Sequence, residues 1–258
     1  MAPYLPGTNG EREAALPVSD GRIITVLVTG FGPFQTKYPV NPSYEIARSL
    51  PRLSLPTMSS SHRTIQLIAF DSPIRVCYKE SRELIPALLE SLIGSIDLVL
   101  HIGMASGRHY YTVERYGHTG GYIKNKDLDG ELPPLDDAEK RFGICPERIE
   151  TSLDFRDVVL RWQTAISQTP QDSPAYGAVC RPSEDAGHYL CDYTYFNSLA
   201  WFGKRNQKYE DGGPSDRPVL FLHVPAESDE VTLERGRVVA MALIRAMVDS
   251  YVECQVNL

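Results

Sequence analysis

The order of apolar runs along this chain predicts an α/β domain in which a mostly parallel sheet is covered by helices on both faces. Three observations lead there. Four short runs of β-branched and aliphatic residues have the length and near-continuous apolar character of strands buried on both sides. Segments with helical spacing separate them, as crossovers between parallel strands require. The 258 residues can build one large core, and no break in the spacing marks a second.

Residues 1–21 come first, rich in Pro, Gly and charge without periodicity, and read as a poorly ordered leader ahead of one domain at 22–258. The expected strands are Arg22–Thr29, Thr64–Phe70, Asp97–Gly103 and Pro218–Val224. Apolar residues at helical spacing predict helices at Ser43–Leu50, Tyr78–Ile93, Phe155–Ser167 and Tyr189–Phe202, with a closing helix at Leu233–Val252. Pro86 is expected to kink or delay the second helix. Glu131–Asp154, with its Pro-Pro, Asp-Asp and Cys-Pro pairs, reads as an insertion between elements, and Lys204–Arg217 as a charged surface loop.

Composition removes several function classes. Lys and Arg number 26 against 33 Asp and Glu, a formal charge of −7, and no basic block is present to neutralise phosphates, so nucleic acid is not an expected partner. The five cysteines form no CxxC pair, which argues against a disulfide framework and a cysteine zinc site. A reducing, cytoplasmic setting fits that usage. The first residues lack a basic stretch followed by an apolar one, unlike a secretory signal. The apolar run Val238–Val248 is short and interrupted by Arg245, so no membrane role is expected.

Ligands of open α/β sheets sit beyond the carboxyl ends of the strands, which directs attention to the residues that follow each one. After the first strand, Gly30-x-Gly32 invites a dinucleotide reading, but no third glycine follows, Pro33 removes an amide, and Phe31 and Phe34 occupy the turn. Those two rings either fold into the core or flank a small, flat, mostly apolar group. Cys191 opens an aromatic helix after a glycine-led turn, where the helix N-terminus would lower its thiol pKa, although a single cysteine is most often an inert buried residue. His223 closes an apolar strand and suits general-base work, or simply bonds a neighbouring carbonyl. Glu114 could orient that imidazole, or pair on the surface with Arg108 or Arg115. Together the three offer a nucleophile, a proton shuttle and an orienting carboxylate.

Four motifs in order carry a resemblance to a known family: VLVTGFGPF at Val26–Phe34 with VNPS at Val40–Ser43; HIGMASGR from His101 followed by TVERYGHTGGY from Thr112; DAGHYLCDYTYFNSLA at Asp185–Ala200; and FLHVP at Phe221–Pro225. Over most of Val26 to Val248 the chain resembles pyroglutamyl peptidase I, the pyrrolidone-carboxylate cysteine peptidases, and its eukaryotic members more than its bacterial ones. The resemblance implies a three-layer α/β/α fold of the phosphorylase/hydrolase-like kind. It also implies removal of N-terminal pyroglutamyl residues from small peptides without metal or organic cofactor. Matched by motif, Cys191 is the nucleophile, His223 the base and acid, and Glu114 the third member. Phe31 and Phe34 hold the pyrrolidone ring, Asn41 is a polar pocket residue, and Met104, Tyr189 and Leu190 complete the substrate side. Two departures stand out: Met104 replaces a glutamine of many bacterial members and removes a side-chain hydrogen bond, and Gln35 replaces a glycine. They motivate the rival expectation of a weak or inactive relative that binds pyroglutamyl-like peptide ends.

Overall fold

The computed structural model of the protein describes residues 23–34, 36–51, 55–56 and 64–256. The expected leader and Gln35 lie outside the described residues. Strand β1 (Ile23–Gly30) pairs in parallel with β3 (Thr64–Ala69) on one side and β4 (Leu98–Met104) on the other. Beyond β4 lies β9 (Val219–Val224), also parallel. These are the four expected strands.

Three further strands complete a seven-stranded sheet. β5 (Tyr111–Glu114) runs antiparallel to β9, β8 (Cys180–Ser183) is parallel to β5, and the two-residue β2 (Leu55–Pro56) lies antiparallel on β3. The order is β2-β3-β1-β4-β9-β5-β8, so the sheet is mostly parallel with antiparallel pairings toward both edges. A separate pair, β6 (Tyr116–His118) and β7 (Arg148–Glu150), lies beyond β5 in sequence.

Strand side chains alternate between two faces, and the two cores record it. Val26, Val28, Leu98, Leu100, Ile102, Leu220 and Leu222 pack against α1 (Pro42–Ser49), α4 (Phe155–Ser167) and α6 (Glu230–Val256). Leu27, Val99, Val219 and Phe221 face α2 (Tyr78–Leu92), α5 (Leu190–Asn206) and α3 (Asp137–Phe142). The result is three layers, α/β/α.

Pro86 sits inside α2, which continues through it. α5 runs four residues beyond the expected Phe202 and stops at Gln207, whose φ of 55° turns the chain left-handed. The expected loop Lys204–Arg217 therefore begins as helix, and its last residue is buried: Arg217 donates to the carbonyls of Glu150, Lys208 and Asp211. The segment expected as an insertion contains α3 and β7 and is packed on α5, with Phe142 edge-on to Phe196 and Arg141 donating to Asn197. Among the described residues no helix is long and apolar enough to cross a membrane.

Candidate active site

The face-to-face alternation of the sheet decides which residues can meet. His223 shares the parity of Val219 and Phe221, so it faces the α5 layer. On β5, Tyr111 and Val113 belong to the opposite core, which leaves Thr112 and Glu114 on the side of His223. Glu114 stands opposite Phe221 in the antiparallel register and Thr112 opposite His223, so Glu114 is a diagonal neighbour of the imidazole. The contact is direct: His223 Nδ1 lies 2.8 Å from Glu114 Oε1, and both side chains are buried.

Cys191 comes from above. It is the second residue of α5, and its Sγ stands over Gly103, which is the register neighbour of His223 on β4. A Cβ on Gly103 would lie 2.8 Å from that sulfur and 2.5 Å from Cζ of Phe221, so only a residue without a side chain lets the thiol come down beside the imidazole-bearing strand. Cys191 and His223 both open onto a cavity of about 720 Å³, whose walls include Phe34, Met104, Ala186 and Tyr189, with Lys124 and Lys126 at the rim.

The carboxylate of Glu114 is shared. Its Oε1 also accepts from Arg108 at 2.9 Å and from Thr112 Oγ1 at 2.8 Å, while Oε2 is buried without a hydrogen-bond partner among the described residues. Burial alone would raise the Glu114 carboxyl; the hydrogen bond and charge of His223, with the Thr112 hydroxyl behind them, bring it below the ordinary carboxylate range. Of the two surface partners the sequence offered Glu114, Arg108 does contact it, but the carboxylate is buried, and Arg115 pairs instead with Glu150 and Glu184. Arg108 and Thr112 are site residues that sequence reading did not single out; both lie within the motifs that carry the resemblance.

One expectation is overturned in sign. Burial pushes the Cys191 thiol up to about 12, the carboxylates of Glu114 and Asp192 add to the rise, and Arg108 opposes it. The helix N-terminus supplies amides without intrahelical acceptors, but it does not outweigh desolvation and two nearby acids.

The expected substrate-side residues divide into two groups. Phe34, Met104 and Tyr189 line the cavity, and the Phe34 and Tyr189 rings are 6.1 Å apart. Phe31, Asn41 and Leu190 are buried structural neighbours. Phe31 packs on Phe221 with centroids 6.2 Å apart, and Leu190 belongs to the α5-side core. Asn41 caps α1 by accepting from the Ser43 amide, and its Nδ2 donates to the Gly32 carbonyl, tying down the loop that carries Phe34. His101, on the same face of the sheet, is spent structurally: it bonds Thr29 and Ser198 at 2.7 Å each, and complete burial lowers it to about 3.

A family model described as pyroglutamyl peptidase matches residues 24–139. Human pyroglutamyl-peptidase 1 is 31% identical over 225 residues, covering 87% of this chain and 90% of the relative. A pyrrolidone-carboxylate peptidase of Bacillus cereus is 24% identical over 230 residues, 89% of this chain and 91% of its own. Among solved structures, the pyrrolidone carboxyl peptidase from Thermococcus litoralis superposes with a TM-score of 0.67 at 22% identity, over 89% of this chain and 95% of that one, a likeness of fold.

Proposed function

The chain belongs to the pyroglutamyl peptidase family and is a peptidase of it, and from that premise we propose that it removes N-terminal pyroglutamyl residues from peptides with Cys191, His223 and Glu114 as its catalytic triad. The observation that carries the assignment is the 2.8 Å contact of His223 with a buried Glu114, beside a strand over which the Cys191 sulfur is seated.

His223 takes the thiol proton as the sulfur attacks the pyroglutamyl carbonyl, so the thiolate forms during the reaction. Glu114 holds the imidazole by Nδ1, which leaves Nε2 for that transfer, and stabilises the imidazolium. Amides of the first turn of α5, near Cys191, stabilise the tetrahedral oxyanion. The imidazolium then protonates the departing amine, and water resolves the thioester. The pyroglutamyl ring is a neutral lactam, suited to a slot walled by Phe34, Tyr189 and the Met104 thioether. An ordinary ammonium terminus would be desolvated there without a partner.

The test is release of a fluorophore from a pyroglutamyl amide, with a prolyl amide as control. Turnover of the first alone, abolished in a folded Cys191→Ala protein, is the expected result. Tight binding of the lactam with no turnover by the wild-type chain would replace this reading by that of a binding relative.

A further inference from the structure

The carboxylate of Asp192, one residue past the nucleophile, belongs to a second cluster that the proposed chemistry does not use. It is fully buried, and two imidazoles converge on it. His118 Nδ1 lies 3.2 Å from Asp192 Oδ2, and His188 Nδ1 lies 3.7 Å from the same oxygen. The two rings are 4.8 Å apart at their centroids, and one ligand atom from each of the three residues falls within 4.8 Å of the others. His188 is 46% exposed, which leaves the cluster open to solvent on one side.

We propose that His118, His188 and Asp192 form a binding site for a divalent transition-metal cation of the Zn²⁺ class, completed by water in the fourth position. Ligand atoms about 2.0–2.1 Å from a tetrahedral centre are roughly 3.4 Å from one another; the two contacts to Asp192 approach that spacing, and the half-exposed His188 ring turns inward to bring the three atoms, which lie within 4.8 Å of one another, to it. Two imidazoles and one carboxylate are the donors that such cations take with an open fourth position, whereas Ca²⁺ and Mg²⁺ want oxygen alone.

The surroundings of the carboxylate support this assignment. Asp192 Oδ1 accepts from the His118 amide at 3.1 Å, and Oδ2 accepts from the Tyr122 hydroxyl at 3.0 Å, so outer partners hold the carboxylate in place. An ion pair between His118 and Asp192 would account for two members only. The third is brought in by the fold: His188 Nδ1 lies 2.8 Å from where a Cβ of Gly121 would stand, and Gly121 has a φ of +93°, so this turn both needs glycine and makes room for the ring.

The test uses full-length protein carrying Cys191→Ser, so that the nucleophilic sulfur cannot be a ligand and the outcome does not depend on the peptidase reading. Calorimetric titration with Zn²⁺ should show one equivalent bound, and adding His188→Ala should weaken that binding at least tenfold with an unchanged circular dichroism spectrum. His188 is half-exposed, so this variant should fold even if substitution of buried Asp192 does not. Ring nitrogen resonances of His118 and His188 should move together at one equivalent of Zn²⁺, and Ca²⁺ should move neither. Absence of stoichiometric Zn²⁺ binding, or binding as tight in the His188→Ala protein, overturns the site and leaves a structural ion pair.

Discussion

Burial raises the Cys191 thiol to about 12, so in the proposed mechanism its activation falls to His223 and to the carboxylate behind it. Glu114 has its pKa drawn below the ordinary range once the His223 contact is made, so it stays ionised throughout the neutral and mildly acidic range. Its contribution to stability is present above the unfolded carboxyl pKa and is lost as pH falls through the lower folded value. Glu114→Gln keeps the shape and removes the charge. It should lower kcat by roughly 10²–10⁴-fold with little change in KM, because the missing interaction is with the imidazolium of the transition state. Steady-state kinetics of the variant provide the check, and an unchanged kcat would remove Glu114 from the triad. At this scale the sequence was informative where a motif fixes a residue type: Glu114 reaches His223, and the Cys191 sulfur stands over Gly103, the register neighbour of His223. It was silent on burial. Phe31 and Phe34 look equivalent in a turn, yet one packs under Phe221 and the other faces the cavity. The sign of the Cys191 shift was lost for the same reason, since helix position can be read from sequence and desolvation cannot.

At the scale of the element, the site depends on β4 keeping its edge bare beside β9. A methyl group at Gly103 collides with both the Cys191 sulfur and the Phe221 ring. Gly103→Ala should therefore destabilise the fold by about 1–3 kcal/mol, as overpacking does, and should depress turnover further by displacing the thiol. Denaturant unfolding combined with the fluorogenic assay measures both, and a variant as stable and as active as wild type would contradict the placement of Sγ. The long elements were legible: β1, β3, β4 and β9 and the principal helices carry clear periodicity. β5 and β8, four residues each, and the two-residue β2 are too short to display a period. Pro182 further disguises β8, where it is tolerated because that strand lies at the sheet's edge. Missing β5 had a consequence, because without it a surface pairing of Glu114 with Arg108 or Arg115 stays open, whereas the strand holds Glu114 in register opposite Phe221.

Across the whole molecule, two apolar layers share one sheet, and the proposed chemistry belongs to the α5 side. Trp162 lies wholly in the other layer, buried with its Nε1 donating to the Val239 carbonyl at 3.0 Å. Trp162→Ala should cost about 3–5 kcal/mol and leave kcat per folded molecule unchanged. Far- and near-ultraviolet dichroism should still report a single coincident transition, because both layers are built on the same strands. Separate transitions would divide the chain into two units. Length and alternation made this architecture readable in advance. The packing of α3 and β7 onto α5 was not readable, because their turn-rich residues look like an excursion until Phe142 and Arg141 are seen against the helix.

The assignment of the nucleophile is tested most directly by trapping the covalent intermediate. Wild-type protein mixed with a pyroglutamyl ester, quenched in acid and mapped by mass spectrometry should carry the pyroglutamyl group as a thioester on the peptide containing Cys191 and on no other cysteine. Turnover of the ester with Cys191 never acylated, or with undiminished rate in Cys191→Ala, would contradict it.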